Sequence, residues 1–488
     1  MQAENDPNRS PDTPDPARWR ILVVTLGAIF MALISVSIVN VALPSMQEGL
    51  GASQSDLQWV LSGYALTFGV VLVAAGRAGD VMGRGGIFLV GMAIFTVFSI
   101  TSSLAPNAEW LNVSRFAQGV GSGLVNPQGV GMIQQYFRGA ERARAFGYFG
   151  AAVGVSVAIG PVLGGVLISA GGTDLGWRLT FLVNVPVGLV TIALGLRWFP
   201  RPLIRSLRRA DPATRAERSL DPVGALLLGA AVLAILFPFM EGRGSAALWL
   251  LVPAGVLLVV AWVWWEKRYA RSGRSPMVDL AIFRTRSFTN GSLMITLYFL
   301  GMTSVWVLVA LYMQQGDGRS AMEAGVIGLP SAVLSAFGAN WAGKRVLTYG
   351  RKLVIGGLLM GLVGLVLSIV VVQLHASAGL SVWWLLLSLS FIGAAQGCVV
   401  SPNQTLTLAE VPLAYAGSSG AVMQTGQRIG TSIGIAVITA AVFGTLEATD
   451  WPTAASLGFG VIAVVLLAAL AVAVKDLRDR REDGTAMV

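Results

Sequence analysis

Long apolar segments recur along almost the whole chain, and they restrict its fold more than any other feature of the sequence. Of the 488 residues, 55% are hydrophobic and only 12% are charged, and the mean hydropathy is +0.70. Soluble domains carry about 25% charged residues, so this chain has too few charges to cover a surface that faces water. The composition therefore predicts an integral membrane protein.

A helix needs about 20 apolar residues to cross the hydrocarbon core of a bilayer. Fourteen segments of the chain meet this requirement, so the predicted fold is an all-α membrane protein with fourteen transmembrane helices. The predicted spans are residues 21–43, 57–76, 86–105, 110–133, 145–168, 178–198, 222–240, 248–265, 288–312, 322–341, 353–374, 382–402, 418–440 and 454–474.

The basic residues indicate how these spans are oriented. Of the 34 Lys and Arg residues, only Arg178, Arg243 and Arg319 fall in loops on one side of the membrane. Arg115 and Arg428 fall within spans, and all the others lie on the opposite side. Cytoplasmic loops carry an excess of Lys and Arg, so both termini are predicted to be cytoplasmic. This distribution and contact with anionic lipid account for the net charge of +9, and no nucleic-acid partner is expected.

Two parts of the sequence resemble each other, which indicates an internal repeat. The matching segments are 76–84 and 343–351, 117–119 and 395–397, and 160–164 and 430–434, in the same order. The copies are eight spans apart, an even number, so they share one orientation in the membrane. Spans 1–6 and 9–14 are therefore predicted to form two parallel six-helix halves with spans 7 and 8 inserted between them, a known plan of secondary transporters.

The repeat and the polar segments divide the chain into predicted units. These are a disordered cytoplasmic tail (1–18), an N-terminal half (19–200), a cytoplasmic linker with inserted helices 7 and 8 (201–275), a C-terminal half (276–474) and a cytoplasmic C-terminal tail (475–488). Residues that catalysis and metal binding usually need are scarce, since His375 is the only histidine and Cys398 the only cysteine. We therefore expect neither an enzyme nor a metal site.

Five segments carry a resemblance to a known family. They are GRAGDVMGR at 76–84, SRFAQGVGSG at 114–123, GPVLGG at 160–165, SIVNVALP at 37–44 and WRLTFLVNVP at 177–186. On the predicted topology they resemble motifs of the major facilitator superfamily, and within it the fourteen-span drug:proton antiporters of the EmrB/QacA type. The resemblance covers nearly the whole chain outside the two tails.

The resemblance implies a secondary active transporter that exports small lipophilic compounds, such as drugs, antibiotics or metabolites, across the bacterial inner membrane by alternating access. It implies proton antiport driven by the proton motive force, with no bound cofactor. It also implies a monomer whose partners are its small lipophilic substrate and the membrane lipid. A proton-independent facilitator and an exporter of amphiphiles or lipids on the same fold are the alternatives.

Two groups of residues are implied to act in gating. They are Gly76, Asp80, Gly83 and Arg84 after span 2, and Gly160, Pro161, Gly164 and Gly165 in span 5. Asp80 and Arg84 can form charge-assisted hydrogen bonds across helix ends, and the resemblance makes them a latch of the outward-facing state. Leu347 stands where Asp80 would map in the second half, so the latch is expected to be one-sided. The span 5 group is implied to be a hinge where the halves meet, or else a packing kink.

Arg115 and Arg428 are the most informative single residues. An arginine within a span costs at least about 2.5 kcal/mol and usually faces the bundle interior or an aqueous cavity, although Arg115 is near enough to the outer end to reach the membrane interface instead. A substrate site is therefore predicted between the halves, with aromatic rings and amides that bind and orient the substrate. Its predicted lining is Ser35, Asn40, Trp59, Tyr64, Gln118, Tyr298, Trp306, Gln424 and Arg428.

The residue that couples transport to protons is not evident from the sequence. The family pattern usually has an aspartate where this chain has Ser35, and no Asp or Glu lies in the middle of a predicted span. The candidates are Arg115, Asp56, Glu323 and Glu410, although Asp56 and Glu323 also fit as residues of a helix N-terminus. With two arginines and no acid inside the spans, we expect neutral or anionic substrates rather than multivalent cations.

Overall fold

The computed structural model describes residues 18–204, 219–241 and 246–482. The predicted disordered tail up to residue 17, the linker from 205 to 218, and residues 483–488 of the predicted C-terminal tail lie outside these ranges. Nearly all of the described chain is helical, which confirms the predicted all-α fold.

We number the long helices in chain order, and each overlaps one predicted span. They are α1 (Arg18–Leu50), α2 (Gln54–Met82), α3 (Arg84–Ser103), α4 (Ala108–Tyr136), α5 (Gly139–Gly172), α6 (Asp174–Trp198), α7 (Pro222–Glu241), α8 (Leu251–Arg271), α9 (Arg286–Leu311), α10 (Leu329–Tyr349), α11 (Arg351–Ala378), α12 (Leu385–Thr407), α13 (Ala416–Leu446) and α14 (Trp451–Glu482). The last helix continues past residue 474, where the C-terminal half was predicted to end.

Thirteen helices of the described chain are long and apolar enough to span a membrane. The predicted span that falls short is α4, which has 29 residues but carries several polar side chains. Arg115, Gln118 and Gln128 are among them, and all three are buried, because α4 packs against α2, α3 and α13. These polar groups face protein rather than lipid, which accounts for the lower hydropathy of α4, and fourteen spans stay a prediction.

Glycine ends two of the helices at positions where a side chain would not fit or would strain the backbone. At Gly172 φ is +67°, a conformation that glycine adopts at little cost, and this break divides the helical stretch Gly139–Leu182 between α5 and α6. At Gly83 φ is +111°, and a Cβ would lie 2.8 Å from the carbonyl oxygen of Leu203. The glycine thus lets the segment after α6 pack against the turn between α2 and α3.

The helix ends form two layers, which fixes the direction of each helix. In one layer Arg18 at the start of α1 pairs with Glu141 at the start of α5, at 2.9 Å. We call this layer, where the odd-numbered helices begin, the basic end. In the other layer Arg178, after the α5–α6 turn, donates to the carbonyl oxygens of Ser103, the last residue of α3, and of Ala105, just after it. We call it the opposite end.

The helix packing repeats as the sequence repeat predicts. In the first half α1 packs on α5, and α2 and α3 pack on α4; in the second α9 packs on α13, and α10 and α11 pack on α12. Each helix of the first half therefore corresponds to the helix eight places later. The halves meet where α2 packs on α13 and where α5 packs on α10, which are two copies of one contact.

Helices α7 and α8 pack on each other as a hairpin outside both halves. α7 also lies against α2 and α13, where Val232 and Leu236 form an apolar cluster with Leu66 of α2 and Ile429 of α13. The inserted hairpin therefore covers one of the two seams between the halves.

Candidate gate and binding site

Asp80, near the end of α2, links the two halves at the basic end. Its Oδ1 accepts a hydrogen bond from the backbone N–H of Gly417 and its Oδ2 accepts one from that of Ser418, each 2.9 Å long. Both donors belong to the first turn of α13, where backbone N–H groups lack helical partners and favour an anion. A carboxylate of the first half thus caps a helix of the second half.

Arg84 holds Asp80 in place and adds a contact of its own between the halves. Its Nη2 lies 2.7 Å from Asp80 Oδ1 and donates to the carbonyl oxygen of Leu413, 2.9 Å away, just before α13. Arg84 also donates to Gln135 of α4. The two residues therefore form the expected charge-assisted hydrogen bonds with each other inside the first half, and each also bonds across the seam to the second half.

The equivalent arginine of the second half, Arg351, is engaged within its own half. Its Nε lies 2.6 Å from Asp476 Oδ2, with the two side chains 1% and 2% exposed, and it also donates to Asn403. Leu347 stands at the position that corresponds to Asp80. Among the described residues, no carboxylate of the second half takes the corresponding place at the start of α5, and a one-sided latch stays a prediction.

Close packing of α5 on α10 makes the second contact between the halves. A Cβ on Gly147 would lie 3.1 Å from the carbonyl oxygen of Ala339, and one on Gly343 would lie 2.8 Å from the carbonyl oxygen of Ala143. Backbones can approach this closely only where both helices present small residues. Side chains added at these glycines would push the halves apart at the basic end.

The glycines of α5 that were expected at the contact between the halves pack elsewhere. Gly160 and Gly164 face α1 of their own half, since a Cβ on either would lie 3.0 Å or less from an α1 side chain. Gly165 has nothing within 4 Å of a Cβ position, and Pro161 is half-buried. In this conformation the close contact with the second half comes from Gly147, because α5 meets α10 nearer the basic end than Gly160. A hinge role for the span 5 group stays a prediction.

Arg115 is buried inside the first half, with 1% of its surface exposed. Its Nε donates to the carbonyl oxygen of Val60, 2.9 Å away. Its Nη1 donates to Gln118 and lies 3.5 Å from the hydroxyl of Ser35. Among the described residues these partners are neutral and no carboxylate pairs with Arg115. The guanidinium therefore lies among helices rather than at the membrane interface.

Two stacked rings of α2 connect Arg115 with Arg428 of the other half. The guanidinium of Arg115 lies 4.3 Å from the ring centroid of Tyr64, and Tyr64 stacks on Phe68 with 6.2 Å between their centroids. Arg428 of α13 lies over Phe68, 4.4 Å from its centroid. The arginines thus flank one pair of rings through cation–π contacts. Arg115 contacts the rings from inside the first half, and Arg428 contacts them from the second half.

Several buried polar atoms on α13, within about one turn of Arg428, have no hydrogen-bond partner in the described part of the chain. They are Nε2 of Gln424, Oγ1 of Thr425 and Nε2 of Gln427. The same holds for the buried hydroxyl of Tyr298 on α9. A buried polar group without a partner is costly in free energy, so these atoms would gain from a bound ligand or water.

Three predicted lining residues lie away from these charges. Trp59 stacks on Phe116, with the ring centroids 5.7 Å apart, and is part of the cluster that packs on α7. Trp306 lies against Gly328, before α10, and Asn40 is exposed, with its amide donating to its own helix. Residue type alone does not show which side of a helix faces the other half, and this explains the three differences.

Residues that the sequence analysis did not single out complete the site. Ser99 accepts a hydrogen bond from Gln118 Nε2, 2.7 Å away, and Ser122 accepts one from the Tyr64 hydroxyl, 2.8 Å away. Serine is common in these helices, so neither residue gave a signal. Phe68 did give one, because it follows Tyr64 by four residues on the same helix face.

The comparison with family models agrees with this architecture. The Major Facilitator Superfamily model matches residues 25–435, which is most of the chain. The chain belongs to the major facilitator superfamily. The resemblance stated from the five sequence segments is thereby confirmed, and the protein is a membrane transporter rather than an enzyme.

Several curated relatives of this transporter are named as antibiotic exporters or resistance proteins. It is 33% identical over 437 residues to the probable actinorhodin transporter of Streptomyces coelicolor, covering 89% of this chain and 74% of that one. It is 31% identical over 494 residues to puromycin resistance protein pur8 of Streptomyces alboniger, covering 97% and 94%. It is 30% identical over 426 residues to the tetracenomycin C resistance and export protein of Streptomyces glaucescens, covering 86% and 74%.

Solved structures of distant transporters share its fold. The human organic anion transporter MFSD10 (TETRAN) superposes with a TM-score of 0.68 at 14% identity, covering 94% of this chain and 100% of that one. The proton:xylose symporter XylE superposes with a TM-score of 0.62 at 15% identity, covering 92% and 94%. At these identities the likeness extends to the fold alone.

The acids considered for proton coupling in this transporter lie at helix ends. Asp56 and Glu323 each take part in a capping box at the start of a helix, and Glu410 accepts a hydrogen bond from Ser287, 2.9 Å long. Arg115, in contrast, lies inside the bundle. The structure does not bring the four candidates together, and their role in proton coupling stays a prediction.

Proposed function

We propose that this transporter exports small lipophilic compounds, neutral or anionic, across the bacterial inner membrane by alternating access. The observation that carries the proposal is the position of Arg115 and Arg428, which belong to different halves and flank the rings of Tyr64 and Phe68. A site shared by two halves is exposed to each side in turn as the halves rock. The two charges attract an anionic or electron-rich group, and the rings supply apolar surface.

The basic end faces the cytoplasm in this proposal, because cytoplasmic loops carry the excess of Lys and Arg. The Asp80–Gly417 hydrogen bond and the packing of Gly147 on Gly343 then close the cytoplasmic side. The conformation corresponds to an outward-facing state, from which substrate leaves the cell. Return to the inward-facing state requires both contacts to break.

Relatives support the choice of substrate class. Two are named for resistance to or export of an antibiotic, and a third is named as a probable transporter of actinorhodin. We propose an antibiotic or a chemically similar metabolite as the substrate. The absence of a carboxylate beside Arg115, within the described residues, argues against a multivalent cation.

We propose the proton motive force as the energy source, with a proton-independent facilitator as the second candidate. One observation favours the second candidate: the group that lies 3.5 Å from Arg115 Nη1 is the hydroxyl of Ser35, which does not exchange a proton at physiological pH. The two candidates differ in whether a pH difference drives accumulation of substrate.

Transport by the purified protein in liposomes tests the proposal. A pH difference is imposed across the membrane, and a lipophilic anionic fluorescent dye is followed with the wild-type protein, with Arg428→Gln and without protein. Accumulation that needs both the gradient and Arg428 supports proton antiport, and equilibration that needs Arg428 alone supports a facilitator. Equal flux in vesicles with and without protein would contradict export.

A further inference from the structure

Two buried carboxyl groups lie together at the basic end of the inserted hairpin, apart from the gate and the binding site. Asp221, just before α7, is 0% exposed, and Glu266, near the end of α8, is 1% exposed. A Cβ on Gly224 would lie 2.9 Å or less from both Asp221 Oδ2 and Glu266 Oε1. These two oxygens therefore point into the same small space.

Each carboxyl group has one oxygen with partners and one without. Oδ1 of Asp221 accepts hydrogen bonds from the N–H of Gly224, at 3.0 Å, and from Nε1 of Trp265, at 2.9 Å. Oε2 of Glu266 accepts one from the N–H of Met277, at 3.1 Å. Oδ2 of Asp221 and Oε1 of Glu266 are buried and have no partner among the described residues. The oxygens that face the common space are the two that lack a donor.

One proton would satisfy both oxygens. Two carboxylates in one buried space repel each other and lose hydration. Ionising both groups at once is therefore costly in free energy. A proton held between them removes one charge and supplies the missing donor, as in other carboxyl pairs that share a proton. The buried indole N–H of Trp262, one turn before Glu266, lies near the Glu266 carboxyl outside ideal hydrogen-bond geometry and so adds a neutral donor to these surroundings.

Arg77 of α2 is the charged residue that faces the pair from the first half. It is 3% exposed and donates from Nε and Nη2 to the carbonyl oxygen of Ser219, at 3.0 and 2.9 Å. It also donates to the carbonyl oxygen of Ser275, at 3.4 Å. Arg77 therefore holds the segment that enters α7 and the segment that leaves α8.

Among the described residues, further ionisable groups near the pair lie on α8 and just after it, where Arg274 lies 5.7 Å from the ring centroid of Tyr269. The hydroxyl of Tyr269 is hydrogen-bonded to that of Ser219, and Lys267 and Arg268 are exposed. Asp80, the gate carboxylate, lies three residues after Arg77 on α2. The base of the hairpin and the gate are thus held by adjacent parts of one helix.

We propose that Asp221 and Glu266 share a single proton, and that this proton-binding site makes the attachment of the inserted hairpin to the first half depend on pH. Loss of the proton places two like charges in one buried space and loosens the base of the hairpin. Because α7 covers the seam between α2 and α13, loosening the hairpin also uncovers the gated contact. The proposal concerns a site outside the transport pathway and stands independently of the proposed function.

Proton sharing fixes the direction of the pH dependence. Separate carboxyl groups in an unfolded chain lose their protons at about pH 4, whereas the folded pair retains one above that pH. Between about pH 4 and the pH at which the pair ionises, the folded protein holds more protons than the unfolded chain. Its stability therefore falls as pH rises through this range.

Thermal unfolding of the full-length protein in detergent, followed from about pH 5 to about pH 9, tests the proposal. Glu266→Gln supplies a permanent N–H donor in place of the shared proton, so the variant should gain stability relative to the wild type as pH rises. Asp279→Asn is the matched control, because Asp279 lies in the segment after α8 and only caps a short helical turn. Its unfolding temperatures should run parallel to those of the wild type.

Two further measurements keep the proposal falsifiable if Glu266→Gln fails to fold. Asp221→Asn, which keeps the oxygen that accepts from Gly224, should show the same gain with pH. Infrared spectra of the wild type should contain the carbonyl band of a protonated carboxyl group at neutral pH, and the band should disappear at high pH. A Glu266→Gln or Asp221→Asn profile parallel to the wild type, or a wild-type spectrum without that band, would overturn the proposal.

Discussion

The carboxylate of Asp80 and the backbone N–H of Gly417 are joined by a 2.9 Å hydrogen bond that crosses the seam between the two halves. The donor lies in the first turn of α13, where the helix favours a negative charge. The bond exists only while the basic end is closed, so it stabilises one conformation of the transporter over the other.

Replacing Asp80 with Asn should favour opening of the basic end, because Asn keeps the shape of the side chain and loses its charge. Hydrogen bonds to charged groups contribute about 1.5–3 kcal/mol, so the ratio of closed to open protein should fall about tenfold or more. The reporter is a thiol introduced by Ser419→Cys in a Cys398→Ser background, at a position that is buried at the start of α13. The measurement is the rate at which a maleimide reacts with this thiol.

Glu141→Gln is the matched control for the gate. Glu141 pairs with Arg18 at the same end of the bundle but within the first half, so its loss should leave the labelling of Ser419→Cys unchanged. The latch would be refuted by equal labelling rates with Asp80 and with Asn at that position.

The two arginines that the repeat relates should respond differently to substitution. Arg351→Met breaks the buried ion pair with Asp476, and removing one partner of such a pair typically costs about 3–5 kcal/mol. Arg84→Met removes contacts at the seam and should cost less stability but raise the labelling of Ser419→Cys. Denaturant unfolding compares the two variants, and equal losses of stability would contradict the one-sided latch.

Ser35→Asp should be tolerated, because the new carboxylate would lie beside the buried guanidinium of Arg115. Ser37→Asp is the matched control, since Ser37 faces α5 and donates to the carbonyl oxygen of Ser156. Ser37 is half-buried, and a charge packed against α5 there without a cation beside it should destabilise the protein. Thermal unfolding distinguishes the two positions, and equal costs would show that Arg115 does not stabilise a carboxylate at position 35.

Gly343→Val should separate α5 from α10, because a Cβ at this position would lie 2.8 Å from backbone atoms of α5. Gly356→Val on α11 is the control, since nothing lies within 4 Å of a Cβ there. We expect the first variant to lose most of its transport and the second to keep it. Dye flux in liposomes is the measurement, and normal flux through the Gly343→Val variant would mean that this close contact is not needed.

The sequence predicted the helices better than it predicted their contacts. Spans follow from the length of apolar segments, and Tyr64 and Arg428 could be predicted in one site because charge inside a span rarely faces lipid, whereas Arg115 was a candidate for proton coupling. The observed contacts of Trp59 and Gly160 could not be derived from the sequence, since apolar helices offer no polar side that shows their orientation. The pairing of Asp221 with Glu266 gave no signal, because it depends on how the two ends of the hairpin fold back.

We propose that arginines from both halves bind a neutral or anionic compound between them. Equilibrium binding of a lipophilic anionic fluorescent dye to the purified protein, with Arg428→Gln and a dicationic dye in parallel, tests this proposal. The anionic dye should bind the wild type, bind Arg428→Gln about tenfold or more weakly, and be preferred to the dicationic dye. Binding of the dicationic dye as tight as that of the anionic one, unaffected by Arg428→Gln, would contradict it.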